Sequence, residues 1–279
     1  MPLETPDDDF WLDPGQDRSQ HEGLRAALEQ RARSGQPMRG FQLKRAVLAG
    51  LDLVNHGQRR GFVLQDADLY RADLRDCNLL GVRLEGARLD NVVWDRQLIQ
   101  ERKGRERRRA GDAQGALQLF EEAEETYRNL RLRLEKAGLF EQAGQFFHRE
   151  MVMRRLQMPR LSGRRLLSWL VDLFCGYGEK PLNVVLFSLG LVLVCGLLFF
   201  LVGVRHGDLP LGLALERGWA ANLSDLLDCL YYSVVTFTTL GYGDITPHGL
   251  ARPIAAFEAF AGSFTMALFV VVFVKKMTR

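Results

Sequence analysis

Two stretches of the chain are apolar for the length of a membrane crossing. From Leu182 to Val204 no residue is charged, and Pro253 to Val274 is interrupted only by Glu258. A helix needs about 20 apolar residues to traverse the hydrocarbon, so each segment predicts a spanning helix. Between them, Leu223 to Phe237 is apolar but too short to cross. Ser224 is placed to cap it, and Asp225 and Asp228 suit the positive end of a helix dipole. That helix runs directly into Thr238-Thr239-Leu240-Gly241-Tyr242-Gly243-Asp244. Ahead of the first span, Arg164 to Gly176 mixes Leu166, Leu167, Trp169, Leu170, Leu173 and Phe174 with charged residues. This predicts an amphipathic helix, either lying in the membrane interface or packed on the preceding helices.

The first half is patterned differently. Residues 1–17 are acidic and rich in Pro and Gly, which predicts disorder. Ser19 is placed to cap a helix to about Arg33, ended by Gly35 and Pro37. Leucine then recurs every five residues at Leu43, Leu48 and Leu53, and again from Leu64 through Leu89, with Trp94 in register. A second apolar series (Phe41, Ala46, Leu51, Phe62, Ala67, Ala72, Cys77, Val82, Ala87, Val92) sits two positions earlier. A strict five fits neither a helix nor a simple strand. It fits a coil with one short side per pentad, both repeated side chains turned inward. The break at Asn55–Arg60 predicts a loop bulging from one coil. Helical spacing returns at Ala113–Lys136 and Phe140–Gln157, an expected antiparallel pair. The intervening basic run, 101–109, is either a solvated linker or helix start, or a contact for anionic headgroups.

Charge sets the expected orientation. The net charge is +3, and the basic residues flank the outer ends of the spans: Arg160, Arg164, Arg165 and Lys180 before the first, Lys275, Lys276 and Arg279 after the second. Both termini are therefore expected in the cytoplasm of a multi-pass inner-membrane protein, with loop 205–252 outside. No secretory signal is expected at the acidic N-terminus. The four cysteines show no metal-ligand spacing and read as unpaired apolar residues. Neither a glycine-rich nucleotide loop nor a nucleophile constellation is present, so an enzyme is not expected.

Ala67-Asp68-Leu69 followed by Ala72-Asp73-Leu74 resembles the pentapeptide-repeat family over residues 41–95. The resemblance implies a right-handed quadrilateral β-helix whose ends need caps. The 19–33 helix is one candidate cap. Nucleic-acid mimicry, known in that family, is not expected, because Arg71, Arg75, Arg83 and Arg88 mix with the aspartates.

The Thr238–Asp244 run, with a short helix before it and a span on each side, resembles the two-transmembrane prokaryotic potassium channels of the pore-loop family. The resemblance implies a homotetramer in a lipid membrane, with potassium as permeant ion and no cofactor. Thr239, Leu240, Gly241 and Tyr242 would supply carbonyl oxygens to the ion, with Gly243 closing the outer mouth. A potassium ion leaves water readily only if such oxygens replace its hydration shell. Aiming successive carbonyls at one axis needs left-handed backbone angles, which Gly241 and Gly243 adopt without a Cβ clash. Thr238, Asp244, Tyr231, Tyr232 and Val235 would support the strand. Tyr231 is expected to reach Asp244, and Val235 stands where some relatives carry glutamate.

The chemistry-bearing positions of the second span are Gly262, Glu258, Met266, Phe269 and Phe273. Gly262 is either a gating hinge or a close-packing point. Glu258 faces either the protein behind the filter or the pore. No voltage-sensing arginine series is present. With three residues after Lys276, no C-terminal sensing domain is expected. The expected fold class is mixed: an acidic tail and capping helix (1–40), a pentapeptide-repeat β-helix (41–95), a helical hairpin linker (96–160) and an α-helical pore domain (161–279). Control is expected to act through the N-terminal part, with an unknown cytoplasmic regulator as a candidate partner. Two other functions fit the pattern: a membrane-anchored scaffold and a poorly selective cation channel.

Overall fold

A computed structural model describes residues 8–15, 23–52, 54–55, 60–214, 216 and 218–278. The chain forms two compact units, Met1–Trp169 and Leu170–Arg279, and the boundary falls inside one amphipathic helix.

The first unit opens with α1 (Asp8–Leu12) and α2 (Leu24–Ser34). The expectation of disorder over 1–17 is corrected at α1. Trp11 is fully buried and its ring stacks on Phe41 at 5.2 Å. A single large aromatic orders this acidic segment, which composition alone conceals. Trp11 also accepts a backbone hydrogen bond from Gln42 (2.8 Å), so α1 covers the first coil. Ser19 lies outside the described residues, and Gly23 precedes α2.

The repeat contains few regular strands. β1 (Val54–Asn55) and β2 (Arg60–Gly61) pair antiparallel. Elsewhere isolated parallel bridges join Val63 to Arg83, Asp68 to Arg88 and Asp73 to Val93, partners twenty residues apart. Bridges from Gln42, Val47 and Asp52 reach twenty-six residues ahead, and the excess is taken up by the β1–β2 excursion. Residues 56–59 of the expected loop, and Leu53, lie outside the described residues. Leu43, Leu48, Leu64, Leu69, Leu74, Leu79, Leu84 and Leu89 are all buried, as the period requires. The corners between them hold left-handed backbone every fifth residue, at Asp66, Arg71, Asp76, Gly81, Gly86 and Asn91.

Three helices follow where a hairpin is expected: α3 (Ile99–Arg109), α4 (Ala113–Lys136) and α5 (Phe140–Gln157). The basic run is thus a helix packed on α4. Its arginines hide one buried face, where Gly104 lies so close to Phe120 that a Cβ would fall 2.8 Å from the ring. Glu101 is fully buried there and accepts from the Tyr127 hydroxyl (2.6 Å) and from Arg105 and Arg149. Burial pushes the Tyr127 phenol up, and the charge of Glu101 adds to the shift. The last coil is closed by this bundle: Trp94 meets Phe146 edge-on at 5.6 Å, and Gln100 donates to Asn78 at 2.5 Å.

Most of the second unit is helical. α6 (Gly163–Cys175) leaves Leu166, Leu167, Trp169, Leu170 and Leu173 exposed. A tight turn at Gly176–Gly178 leads into α7 (Pro181–Val202). α8 (Trp219–Phe237) packs between α7 and α9 (Ala251–Met277). α8 starts at Trp219 behind Gly218, so Ser224 lies inside the helix and is not its cap. Only 28% and 22% of the apolar windows of α7 and α9 are buried. A soluble core helix would be mostly covered, so these outward apolar faces suit lipid. A three-stranded antiparallel sheet, in the order β4-β3-β5, joins β3 (Val204–His206), β4 (Leu209–Leu211) and β5 (Ile245–Pro247). These strands, three residues each, are too short to read from pattern alone.

Candidate pore strand and its supports

α8 ends at Phe237, and the chain is exposed from Thr238 to Asp244. Its inner end is held by the helix it leaves. The Thr239 and Leu240 amides donate to the carbonyls of Thr236 and Val235, each at 3.0 Å. The Thr238 hydroxyl donates to the Val234 carbonyl (2.7 Å) and the Thr239 hydroxyl to that of Thr238 (2.7 Å). Thr239, Gly241 and Gly243 have φ of 58°, 58° and 82°. Left-handed backbone therefore recurs at every second residue. In an ordinary strand successive carbonyls point to opposite sides; left-handed angles at alternate residues depart from that pattern. The glycines at 241 and 243 were legible in sequence. Thr239 was not, because a β-branched residue at positive φ is an outlier, stable only where its surroundings impose it.

The outer end is held by β5, which pairs with β3 through Ile245–His206 and Val204–Pro247. The two tyrosines of α8 part company. The Tyr231 hydroxyl is hydrogen-bonded to the Asp244 carboxylate. Tyr232 turns away and packs edge-on against Phe199 of α7 at 4.8 Å. Val235 is buried. Leu240 and Tyr242 are 59% and 68% exposed in the single chain.

The second-span positions separate by helix phase. Glu258 is fully buried; its carboxyl meets Ser233 of α8 and lies beside the Cys195 thiol of α7. It faces protein. Gly262 meets the end of α8, where a Cβ would fall 2.0 Å from the Phe237 carbonyl oxygen. Phe269 packs on the cluster of Cys175, Val184 and Val272, whereas Met266 and Phe273 are exposed. The end of α9 is tied to the turn before α7 by Lys275 and Glu179 at 2.7 Å. Among the described residues no group of acidic, histidine or cysteine side chains is arranged to hold a metal ion. The turn Gly176-Tyr177-Gly178 is a short helical turn and not a second pore strand.

Residues 187–279 match the Ion channel family, and residues 60–92 match Pentapeptide repeats in eight copies. The C-terminal part is thus an ion-channel domain of the pore-loop class. The chain joins that domain to a pentapeptide-repeat region. Over 98 residues, 35% of this chain and 25% of the relative, it is 35% identical to Two pore potassium channel b of Oryza sativa subsp. japonica. Over 49 residues, 18% of this chain and 37% of the relative, it is 48% identical to Protein LctB of Geobacillus stearothermophilus. The chain therefore spans about a quarter and somewhat over a third of these curated relatives. No solved structure matches it.

Proposed function

We propose that the chain is one subunit of a homotetrameric potassium-selective channel of the inner membrane. The alternation of left-handed backbone at Thr239, Gly241 and Gly243, on an exposed strand between two apolar helices, carries this reading. One strand cannot ring an ion. Four copies can, with the carbonyls of Thr239, Leu240, Gly241 and Tyr242 standing in for water and Gly243 at the outer mouth. Irregular backbone at membrane depth is tolerated where it lines such a path. The rice relative's name supports potassium as the ion. Leu240 offers only its backbone carbonyl to the ion, so its side chain leaves selectivity intact.

The parallel bridges at twenty-residue spacing, four pentads per turn, support a quadrilateral β-helix for the repeat. The flanking basic residues support cytoplasmic termini. The N-terminal domain then lies in the cytoplasm and modulates gating through α6. Purified chain in liposomes tests the reading: potassium flux exceeding sodium flux and blocked by barium is expected. Equal sodium flux refutes selectivity, and no flux favours a membrane-anchored scaffold. Deleting residues 1–160 should change gating and leave selectivity.

A further inference from the structure

We propose that Glu258 is a positioning residue that holds the pore helix as a proton-carrying carboxyl, donating a hydrogen bond to Ser233 Oγ and tying α8 to both spans. The proposal deepens the channel reading and rests on it.

Three helices meet at this point, and their contributions are almost sealed from solvent: Cys195 of α7, Ser233 of α8 and Glu258 of α9. Ser233 Oγ lies 2.8 Å from the Val192 carbonyl oxygen of α7 and in contact with Glu258 Oε1. A hydroxyl holds one proton, and a carbonyl oxygen holds none. Were Glu258 also without a proton, one of the two contacts would set lone pair against lone pair. The pattern closes only if Ser233 donates to Val192 and Glu258 donates to Ser233. The titratable neighbours of Glu258 on the packed elements are the Cys195 thiol and the Tyr232 phenol. No cation among the described residues is set against it. The acid form leaves no uncompensated charge in the apolar interior.

The node has leverage on the pore strand. Ser233 lies less than one turn before Val235 and Thr236, whose carbonyls hold the amides of Leu240 and Thr239. One turn beyond Glu258, Gly262 backs onto the Phe237 carbonyl. α9 thus grips the last turns of α8 twice, by a hydrogen bond and by a backbone contact. Losing the hydrogen bond frees the helix end from which the strand departs.

The test uses the full chain, unaltered and as Glu258→Gln, Glu258→Ala and Ser233→Ala, reconstituted in liposomes. Flux ratios and infrared difference spectra are recorded at neutral pH. The expected spectrum contains the carbonyl stretch of a protonated carboxylic acid, absent from Glu258→Gln and shifted in Ser233→Ala. Glu258→Gln should keep the potassium preference, since an amide N–H donates to Ser233 in place of the acid. Glu258→Ala should lower that preference about tenfold. No acid band sensitive to Glu258→Gln, or equal impairment by Gln and Ala, overturns the proposal. So does an Ala variant as selective as the unaltered chain. Absence of flux from the unaltered chain overturns the channel reading instead, and the infrared band still decides where the proton resides.

Discussion

Substituting Gly262 by alanine adds one methyl group where, among the described glycines of the second unit, another backbone approaches most closely. That carbon would lie 2.0 Å from the Phe237 carbonyl oxygen, 2.9 Å from its carbon and 3.1 Å from its Cα. A comfortable separation is ~3.5 Å, so α9 and the end of α8 must part by roughly 1.5 Å. Both sides are helix backbone, and no flexible side chain can swing aside. Overpacking of this kind costs about 1–3 kcal/mol per chain, and in the proposed tetramer each of the four copies would bear it. The displacement falls at the residue just before Thr238, so it reaches the pore strand directly. Thermal dissociation of the assembled protein on gels, with flux ratios in parallel, measures both effects. The expected result is a lower dissociation temperature and a weakened potassium preference. A pure hinge at Gly262 predicts altered open probability with assembly and selectivity intact; that outcome would refute the packing argument.

Tyr231→Phe removes the hydroxyl bonded to Asp244; faster inactivation or sodium leak in flux assays is expected. Tyr127→Phe leaves buried Glu101 Oε2 without its donor and should destabilise the first unit by about 1–3 kcal/mol, read as a lower melting temperature. Cys77 has its thiol pushed up to about 11, chiefly by burial, so it should resist alkylation at neutral pH until the protein is denatured. The Arg75 guanidinium bonded to Asp73 holds that carboxyl below its usual range. Its stabilising contribution is therefore present above the ordinary aspartate pKa and fades as pH falls through the depressed value. Arg75→Ala should move the Asp73 titration upward in a carboxyl-resolved NMR experiment.

Long-range order was legible wherever one period persisted. The pentad leucines, the two apolar spans and the Gly241/Gly243 spacing each repeat a single physical demand often enough to be read. What escaped depended on one residue or on partners far along the chain. Trp11 orders an acidic tail by finding Phe41. The helix at 99–109 is masked because its charged residues outnumber its buried ones. β3 and β4 form a hairpin of three-residue strands, and β5 exists only because residues near 205 and 246 meet. Helix phase decided Glu258, and no single-chain pattern records what stands on the neighbouring helix. The left-handed turn at Thr239 is imposed by the hydrogen bonds to α8, not by any preference of threonine.

The pairing of β5 with β3 ties the outer end of the Thr239–Gly243 segment to the top of α7, while its inner end departs from a helix gripped by α9. The segment is thus strung between two posts that belong to different helices. Any tilt of α9 relative to α7 loads it along its length, pulling or slackening it from below while the top stays fixed. In the channel proposed above, motion of α9 would therefore reach this segment as tension.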